Sequence, residues 1–233
     1  MGISERKERE KLARRKMIMD CARELILKHG ADGVSMSEIA KRIELSKATL
    51  YLYFPSKDDL LNEICVESAA VFIERAAPRI EEGATGLEAL KGYWTAYLDV
   101  FGQSDEMMIL FNLRRFLFPS SSLIPSEEAN YPSAARYTYM LFSLLKEMID
   151  QGIQEGFFDS GTDSDIVSRT IISLFSYIVE NASKIPKDER TLSAVTEEMR
   201  NVFQILLRGI AREGIDRSVF DLPKHEDLSF ING

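Results

Sequence analysis

Residues 35–61 read SMSEIAKRIELSKATLYLYFPSKDDLL, and they contain the start signals of three helices in quick succession. Ser35, with Glu38 three residues later, forms a capping box. Ser46 can cap a second helix, and Ser56, which follows a helix-ending proline, can cap a third. Because only a short connection separates the first two helices, they must cross steeply, which is the geometry of a helix-turn-helix.

The helix that follows Ser46 carries the side chains that a DNA major groove requires. Lys47, Ala48 and Thr49 are short or polar and lie near its N-terminal end. Such side chains let a recognition helix bring its exposed face against base edges without obstruction. Ser46, Lys47, Ala48 and Thr49 are therefore candidates for a DNA interface.

Four more polar side chains in this region are candidates for phosphate contacts. The hydroxyls of Tyr51 and Tyr53 can donate to phosphate oxygens, and the capping hydroxyl of Ser35 can do the same. Lys57 lies in the first turn of the third helix, where a cation opposes the helix macrodipole by roughly 0.3–1 kcal/mol unless an anion binds there. The alternative is that the two tyrosines are core aromatics and that Ser35 is only a cap.

The distribution of charge also favours nucleic acid as a partner. The chain of 233 residues has a formal net charge of −8. Residues 1–60 contain 13 basic and 10 acidic side chains, so they carry +3, and the remainder carries −11. A polyanion would be attracted to the N-terminal quarter and repelled by the rest. An imbalance of this size can also belong to a merely solvated surface.

The remaining sequence predicts an all-α protein with two domains. Apolar residues recur at helical spacing along most of the chain, and no alternating strand pattern competes with them. We expect a helix-turn-helix domain over residues 1–60, a helical domain over 61–213 and a tail without strong periodicity over 214–233. The expected helices span about Glu5–His29, Lys57–Ala77, Leu87–Phe101, Asp105–Phe118, Ser133–Glu155, Asp165–Ala182 and Thr191–Arg212.

Several classes of protein are excluded by what the sequence lacks. It has no phosphate-binding glycine loop, no zinc-protease motif and no nucleophile elbow, so we expect no enzyme and no cofactor. Two cysteines and two histidines without ligand spacing predict neither a disulfide framework nor a metal site. The polar start and the absence of a long apolar run predict a cytoplasmic protein that is not in a membrane.

The order of residues from Ser35 to Leu61 resembles the helix-turn-helix domain of the tetracycline-repressor (TetR) family of transcriptional regulators. The match includes Ile39-Ala40, Ser46, Thr49-Leu50-Tyr51, Tyr53-Phe54 and Ser56-Lys57. It covers about the first quarter of the chain. Glu44 departs from the pattern, because the family usually has a glycine in that turn, so the turn must tolerate a side chain or use slightly different dihedrals.

The resemblance implies a homodimer on a palindromic DNA operator. Its two recognition helices would enter successive major grooves, with half-sites ~34–36 Å apart. By position, Lys47, Ala48 and Thr49 would meet bases, and Ser35, Tyr51, Tyr53 and Lys57 would meet phosphates. The basic stretch from Arg6 to Lys16 could extend the contact as an arm, or it could be a solvated helix face.

The resemblance also implies a small-molecule inducer that binds the C-terminal domain. An apolar, aromatic-lined pocket would take an apolar or amphipathic ligand, and Arg115 could anchor an anionic group or form a structural ion pair. The same aromatic side chains at helical spacing could instead be core. The candidate pocket residues are Trp94, Tyr97, Phe101, Met108, Phe111, Arg115, Tyr139 and Phe142.

The last two long helices have apolar faces that suit a dimer interface of four helices, although a monomeric core could explain the same pattern. The sequence therefore predicts a homodimeric, DNA-binding transcription regulator, expected to be a repressor that a small molecule releases. Two other classes stay open. One is a small-molecule binding protein or enzyme with a vestigial helix-turn-helix, and the other is a protein-interaction module.

Overall fold

The computed structural model describes residues 3–101, 109–110, 133–186, 189 and 191–224. Within these ranges the regular elements are α-helices and one short 3₁₀ helix, so the all-α class is confirmed. The helices are α1 (Ile3–His29), α2 (Met36–Arg42), α3 (Lys47–Tyr53), α4 (Lys57–Glu81), α5 (Gly86–Phe101), α6 (Ser133–Gln154), α7 (Ser164–Ser183) and α8 (Leu192–Gly209), followed by the 3₁₀ helix Arg217–Phe220.

The helices α2, α3 and α4 begin where their capping serines predict. Ser35, Ser46 and Ser56 each accept a hydrogen bond from the backbone amide three residues later, at 3.2, 3.0 and 3.0 Å. Each bond satisfies one of the amides that a helix start leaves without an internal partner. The first helix, α1, packs against α2 and α4 through a continuous apolar core.

Glu44 occupies the turn between α2 and α3 in the left-handed region, with φ of +56°. Among the described residues, it is the only one other than glycine that has a positive φ. The side chain is therefore tolerated at the position where a glycine was expected, at a backbone cost of about 1–2 kcal/mol.

The helix α4 runs four residues beyond the end that the sequence predicts. Pro78 was expected to stop it near Ala77, but α4 continues to Glu81. The last turn is held by α5, because Arg79 donates to the Asp99 carboxylate at 3.0 Å. Gly92 of α5 also approaches so closely that a Cβ there would lie 2.3 Å from the Arg79 carbonyl oxygen. These contacts offset the strain of an internal proline.

The larger helical domain is built around aromatic side chains from four helices. Trp94 and Tyr97 of α5 stack with ring centroids 5.9 Å apart. Phe175 of α7 and Phe203 of α8 contact the same two-ring stack edge-on, with Trp94 centroid distances of 6.1 and 6.2 Å. Phe72 of α4 stacks on the ring of Phe101 in the same cluster, so the long helix α4 is part of this core.

Part of the expected C-terminal tail is packed against the domain. Phe220 and Leu222 are buried, and Phe220 stacks on Phe158 with ring centroids 5.7 Å apart. Trp94 donates its indole N–H to the Pro223 carbonyl oxygen at 2.9 Å. Residues 217–223 thus pack against the helical domain, although the sequence shows no strong periodicity there. Four residues of 3₁₀ helix are too short to give a periodic pattern in the sequence.

The remaining helices agree with the sequence to within three residues at each end. The expected helix Asp105–Phe118 lies outside the described residues, apart from Ile109 and Leu110, which are helical and buried.

Candidate nucleic-acid interface

The recognition helix α3 has one buried face and one exposed face. Leu50 is fully buried, and Phe54, which follows the helix, is almost so. On the other face Lys47 and Ala48 are exposed, and Thr49 is half-buried. The two buried apolar side chains hold one face of this short helix against the core. Little conformational entropy is therefore lost when the side chains of the opposite face enter a DNA groove.

The two tyrosines of α3 differ in their surroundings. Tyr51 is 47% exposed, whereas Tyr53 is half-buried and packs against the apolar core. Both remain accessible at the surface, so neither is the fully buried core aromatic of the alternative interpretation.

Leu52 is an exposed apolar residue that the sequence reading missed. It is 85% exposed, the most exposed of the large hydrophobic side chains in the described residues. It lies four residues after Ala48, so both side chains occupy the same face of α3. The signal was present in the sequence, since a leucine four residues from an outward-facing alanine must also face outward.

The two expected phosphate contacts outside α3 are also near the surface. Ser35 is exposed, and Lys57 is half-buried at the start of α4. Asp58 and Asp59 share that first turn, and Asp59 also accepts a hydrogen bond from Ser56 Oγ at 2.7 Å. These acids already offset the helix macrodipole, so the macrodipole does not by itself require a phosphate beside Lys57.

Arg15 connects α1 to the far end of the recognition helix. Its Nη1 donates to the Tyr53 carbonyl oxygen at 2.7 Å, and its Nη2 forms an ion pair with Glu63 of α4. The guanidinium also lies over the Phe54 ring, 4.3 Å from the centroid. One side chain thus joins α1, the last carbonyl of α3 and the start of α4. Sequence patterns do not predict this role, because the partners are 38 to 48 residues away.

The candidate ligand residues fall into three groups. Trp94, Tyr97 and Phe101 belong to the close-packed aromatic core, with Tyr97 and Phe101 centroids 4.6 Å apart. Phe142 is buried and Tyr139 is half-buried on α6, with their rings 6.3 Å apart. The other three candidates, Met108, Phe111 and Arg115, lie outside the described residues. Trp94 also borders a cavity of about 260 Å³ together with Arg200 and Lys224.

The helices α7 and α8 each expose large apolar side chains. The exposed large apolar side chains of α7 are Ile166 and Tyr177, at 61% and 56%, and on α8 Ile205 is 68% exposed. The sequence missed Ile205. Val195 and Met199, which belong to the apolar pattern that the sequence shows along α8, are instead buried in the core. The helix carries apolar residues on two sides, and the sequence pattern did not separate them.

Sites of other kinds are not found in the described ranges. The described residues contain no cluster of three potential metal ligands, and none of their helices is long and apolar enough to cross a membrane. Both cysteines are buried. Burial raises the pKa of the Cys21 thiol, although Arg42 acts in the opposite direction, so this thiol is less reactive than a free one.

Comparison with known proteins supports the interpretation of this region as a DNA-binding helix-turn-helix. Residues 18–64 match the family model described as bacterial regulatory proteins, tetR family. The fatty acid metabolism regulator protein of Bacillus subtilis is 26% identical over 193 residues, which cover 83% of this chain and 93% of that protein.

Solved structures share the fold. The regulator FadR from Bacillus subtilis in complex with stearoyl-CoA superposes with a TM-score of 0.58 at 24% identity, covering 84% of this chain and 98% of that one. AibR in complex with isovaleryl coenzyme A and operator DNA superposes with a TM-score of 0.57 at 20% identity, covering 80% and 95%. The capped helix-turn-helix of this chain is therefore that of the tetR family of bacterial regulatory proteins, and it is joined to a helical domain with the fold of these regulators.

Proposed function

We propose that the chain represses transcription as a homodimer and leaves its operator when an acyl-CoA or a similar amphipathic molecule binds the helical domain. The observation that carries the DNA-binding part is the geometry of α3, with a buried Leu50 behind and an exposed face in front. A regulator acting in this way works in the cytoplasm and performs no catalysis.

The exposed residues of α3 have different proposed roles. Lys47, Ala48 and Thr49 contact base edges in the major groove, and Leu52 lies against a thymine methyl group beside Ala48. The proposed phosphate contacts are those of Ser35, Tyr51, Tyr53 and Lys57, with Ser46 as the cap that fixes the start of the helix. Phosphate contacts set the register of the domain on DNA, and base contacts set the sequence.

The proposed dimer interface is the outer surface of α7 and α8. Burying Ile166, Tyr177 and Ile205 in a bundle of four helices would remove three largely exposed apolar side chains from water. A two-fold axis at this surface places two copies of α3 on one palindrome.

The proposed link between the domains is α4, which belongs to both. We place the domain boundary near residue 60, which is inside this helix. Its first turns contact α1 through the Arg15–Glu63 ion pair, and its last turns contact α5 through Asp99. A ligand that shifts α5 would move α4 as a rigid body and change the distance between the two recognition helices.

The ligand class is inferred from the relatives and from the aromatic lining of the domain. Related proteins were solved with stearoyl-CoA and with isovaleryl coenzyme A. Trp94 borders the cavity of about 260 Å³, and the rings of Tyr139 and Phe142 offer apolar surface to an acyl chain or another apolar group.

Selection of genomic fragments with the purified protein tests the function. We expect enrichment of a two-fold symmetric sequence at near-physiological salt. Stearoyl-CoA or isovaleryl-CoA should then weaken binding to that sequence, and the sequence should weaken ligand binding by the same factor. Coenzyme A alone is the control. Binding of DNA without any sequence enrichment would contradict the proposal, and the small-molecule binding alternative would then be favoured.

A further inference from the structure

The N-terminal half of α1 is a solvent-exposed helical arm. The helix begins at Ile3, yet its first fully buried residue is Ile18. Residues 5–14 are all exposed. At 1.5 Å per residue, residues 3–14 project ~18 Å from the domain.

One stripe of α1 changes from apolar to basic where the helix leaves the domain. Within the domain this stripe contains Ile18, Ala22 and Ile26, all of which are buried. Continued towards the N-terminus at helical spacings of three and four residues, it contains Arg15, Lys11 and Lys7, with Glu8 at its edge. The arm therefore presents cations on the side that faces the rest of the domain.

Arg15 shows what this stripe faces. Its guanidinium contacts the Tyr53 carbonyl oxygen and Glu63, at the junction between α3 and α4. A second ion pair joins Arg23 to Glu67, so moving towards the N-terminus of α1 also means moving towards the N-terminus of α4. Lys11 and Lys7 lie one and two turns further on. The arm thus extends past the junction that holds the proposed phosphate contacts Tyr53 and Lys57.

The two lysines of the stripe are available for a ligand. Neither Lys7 nor Lys11 forms an ion pair with another described residue, whereas Arg6, on another face of the arm, is paired with Glu10 at 2.9 Å. Lysines at i and i+4 on one helix face lie about 6 Å apart, a spacing comparable to that of successive phosphates along a strand.

We propose that the Lys7–Lys11 stripe binds the phosphates of DNA that flank each half-site. This inference rests on the proposed function, since it needs a protein that sits on an operator. Lys7 is ~12 Å along the helix from Arg15. At 3.4 Å per base pair the arm reaches three to four base pairs beyond the contacts of α3 and α4.

The test uses two double variants with the same change in charge. Lys7→Gln with Lys11→Gln removes the stripe, and Arg9→Gln with Lys16→Gln removes two cations from the opposite face of the same helix. Glutamine has nearly the same helix propensity as lysine and arginine, so α1 should remain intact, which circular dichroism can check. The operator is the duplex that wild-type protein selects from genomic fragments.

The readout is the slope of log K against log salt concentration. Each lost phosphate contact lowers the slope by about 0.9, so the stripe variant of a dimer should lose about 3.6 and the opposite-face variant less than about 1. Equal changes in both variants, or no change in the stripe variant, would overturn the inference and leave the proposed function intact.

A second measurement needs no variant. Wild-type protein should bind more tightly when the operator duplex is lengthened by four base pairs on each side, and the stripe variant should not gain. Equal affinity of wild-type protein for both duplexes would also overturn the inference. Failure of the proposed function is a separate result, in which wild-type protein selects no operator at all.

Discussion

Replacing Arg15 tests whether the end of the recognition helix is held from α1. In Arg15→Met the apolar stem stays, but the hydrogen bond to the Tyr53 carbonyl oxygen and the ion pair with Glu63 are lost. A hydrogen bond from a charged donor contributes about 1.5–3 kcal/mol to stability. The half-exposed ion pair adds no more than about 1 kcal/mol. Because the contacts share one side chain, their effects are not additive, and we expect a loss of about 2–3 kcal/mol.

Operator affinity should fall by more than the loss of stability explains. With the C-terminal end of α3 released, Tyr53 and the start of α4 no longer hold fixed positions. We expect Arg15→Met to weaken operator binding at least ten-fold under conditions in which urea titration shows the protein to be folded. Fluorescence anisotropy with a labelled operator measures this.

Two control variants separate positioning from charge. Arg15→Lys keeps the charge but loses the planar guanidinium group. It should therefore also weaken operator binding if the guanidinium positions the end of α3. Arg23→Met breaks the parallel ion pair with Glu67 without touching α3, so it should leave operator affinity within two-fold of wild type. Wild-type affinity of Arg15→Lys, or equal weakening of binding by Arg23→Met and Arg15→Met, would refute the positioning role of Arg15.

Three further predictions concern the turn, the base contacts and the dimer. Glu44→Gly should raise the free energy of unfolding by about 0.5–1 kcal/mol because it removes left-handed strain, while Gly30→Ala, at φ of +72° with no atom near the added Cβ, should lower it by about 1–2 kcal/mol. Urea titration checks both signs, and a destabilised Glu44→Gly would show that the side chain has a role that the backbone does not explain. Leu52→Ser should leave the melting temperature unchanged and relax sequence selection at one symmetric pair of A·T positions by about 1 kcal/mol, whereas an unchanged selected motif would exclude the thymine contact. Tyr177→Glu combined with Ile205→Glu should give a folded monomer in light scattering with weakened operator binding, and a dimer that persists would place the interface elsewhere.

The sequence predicted where the short helices start, because each start signal depends on only a few neighbouring residues. Ser35, Ser46 and Ser56 cap the helices as expected, and of the two alternatives for the turn between α2 and α3, Glu44 adopts the left-handed conformation. These features depend on interactions over three or four residues. Sequence reading is strongest at this range.

Features that depend on distant partners were not predicted. The contacts of Arg15 with Tyr53 and Glu63, and the packing of residues 217–223 near Trp94, join segments far apart in the chain. The extension of α4 past Pro78 has the same origin, since α5 supplies the stabilising contacts. Periodicity reports which residues are apolar, and it does not report which of two apolar faces is buried, as α8 demonstrates.

The central claim is that α3 reads DNA sequence with its exposed N-terminal residues. The most direct measurement repeats the selection of genomic fragments with Lys47→Ala beside wild-type protein at one stated salt concentration. We predict that wild-type protein selects a two-fold symmetric motif, and that the variant loses about 1–3 kcal/mol of discrimination at one symmetric pair of positions. An identical motif from both proteins would contradict the account.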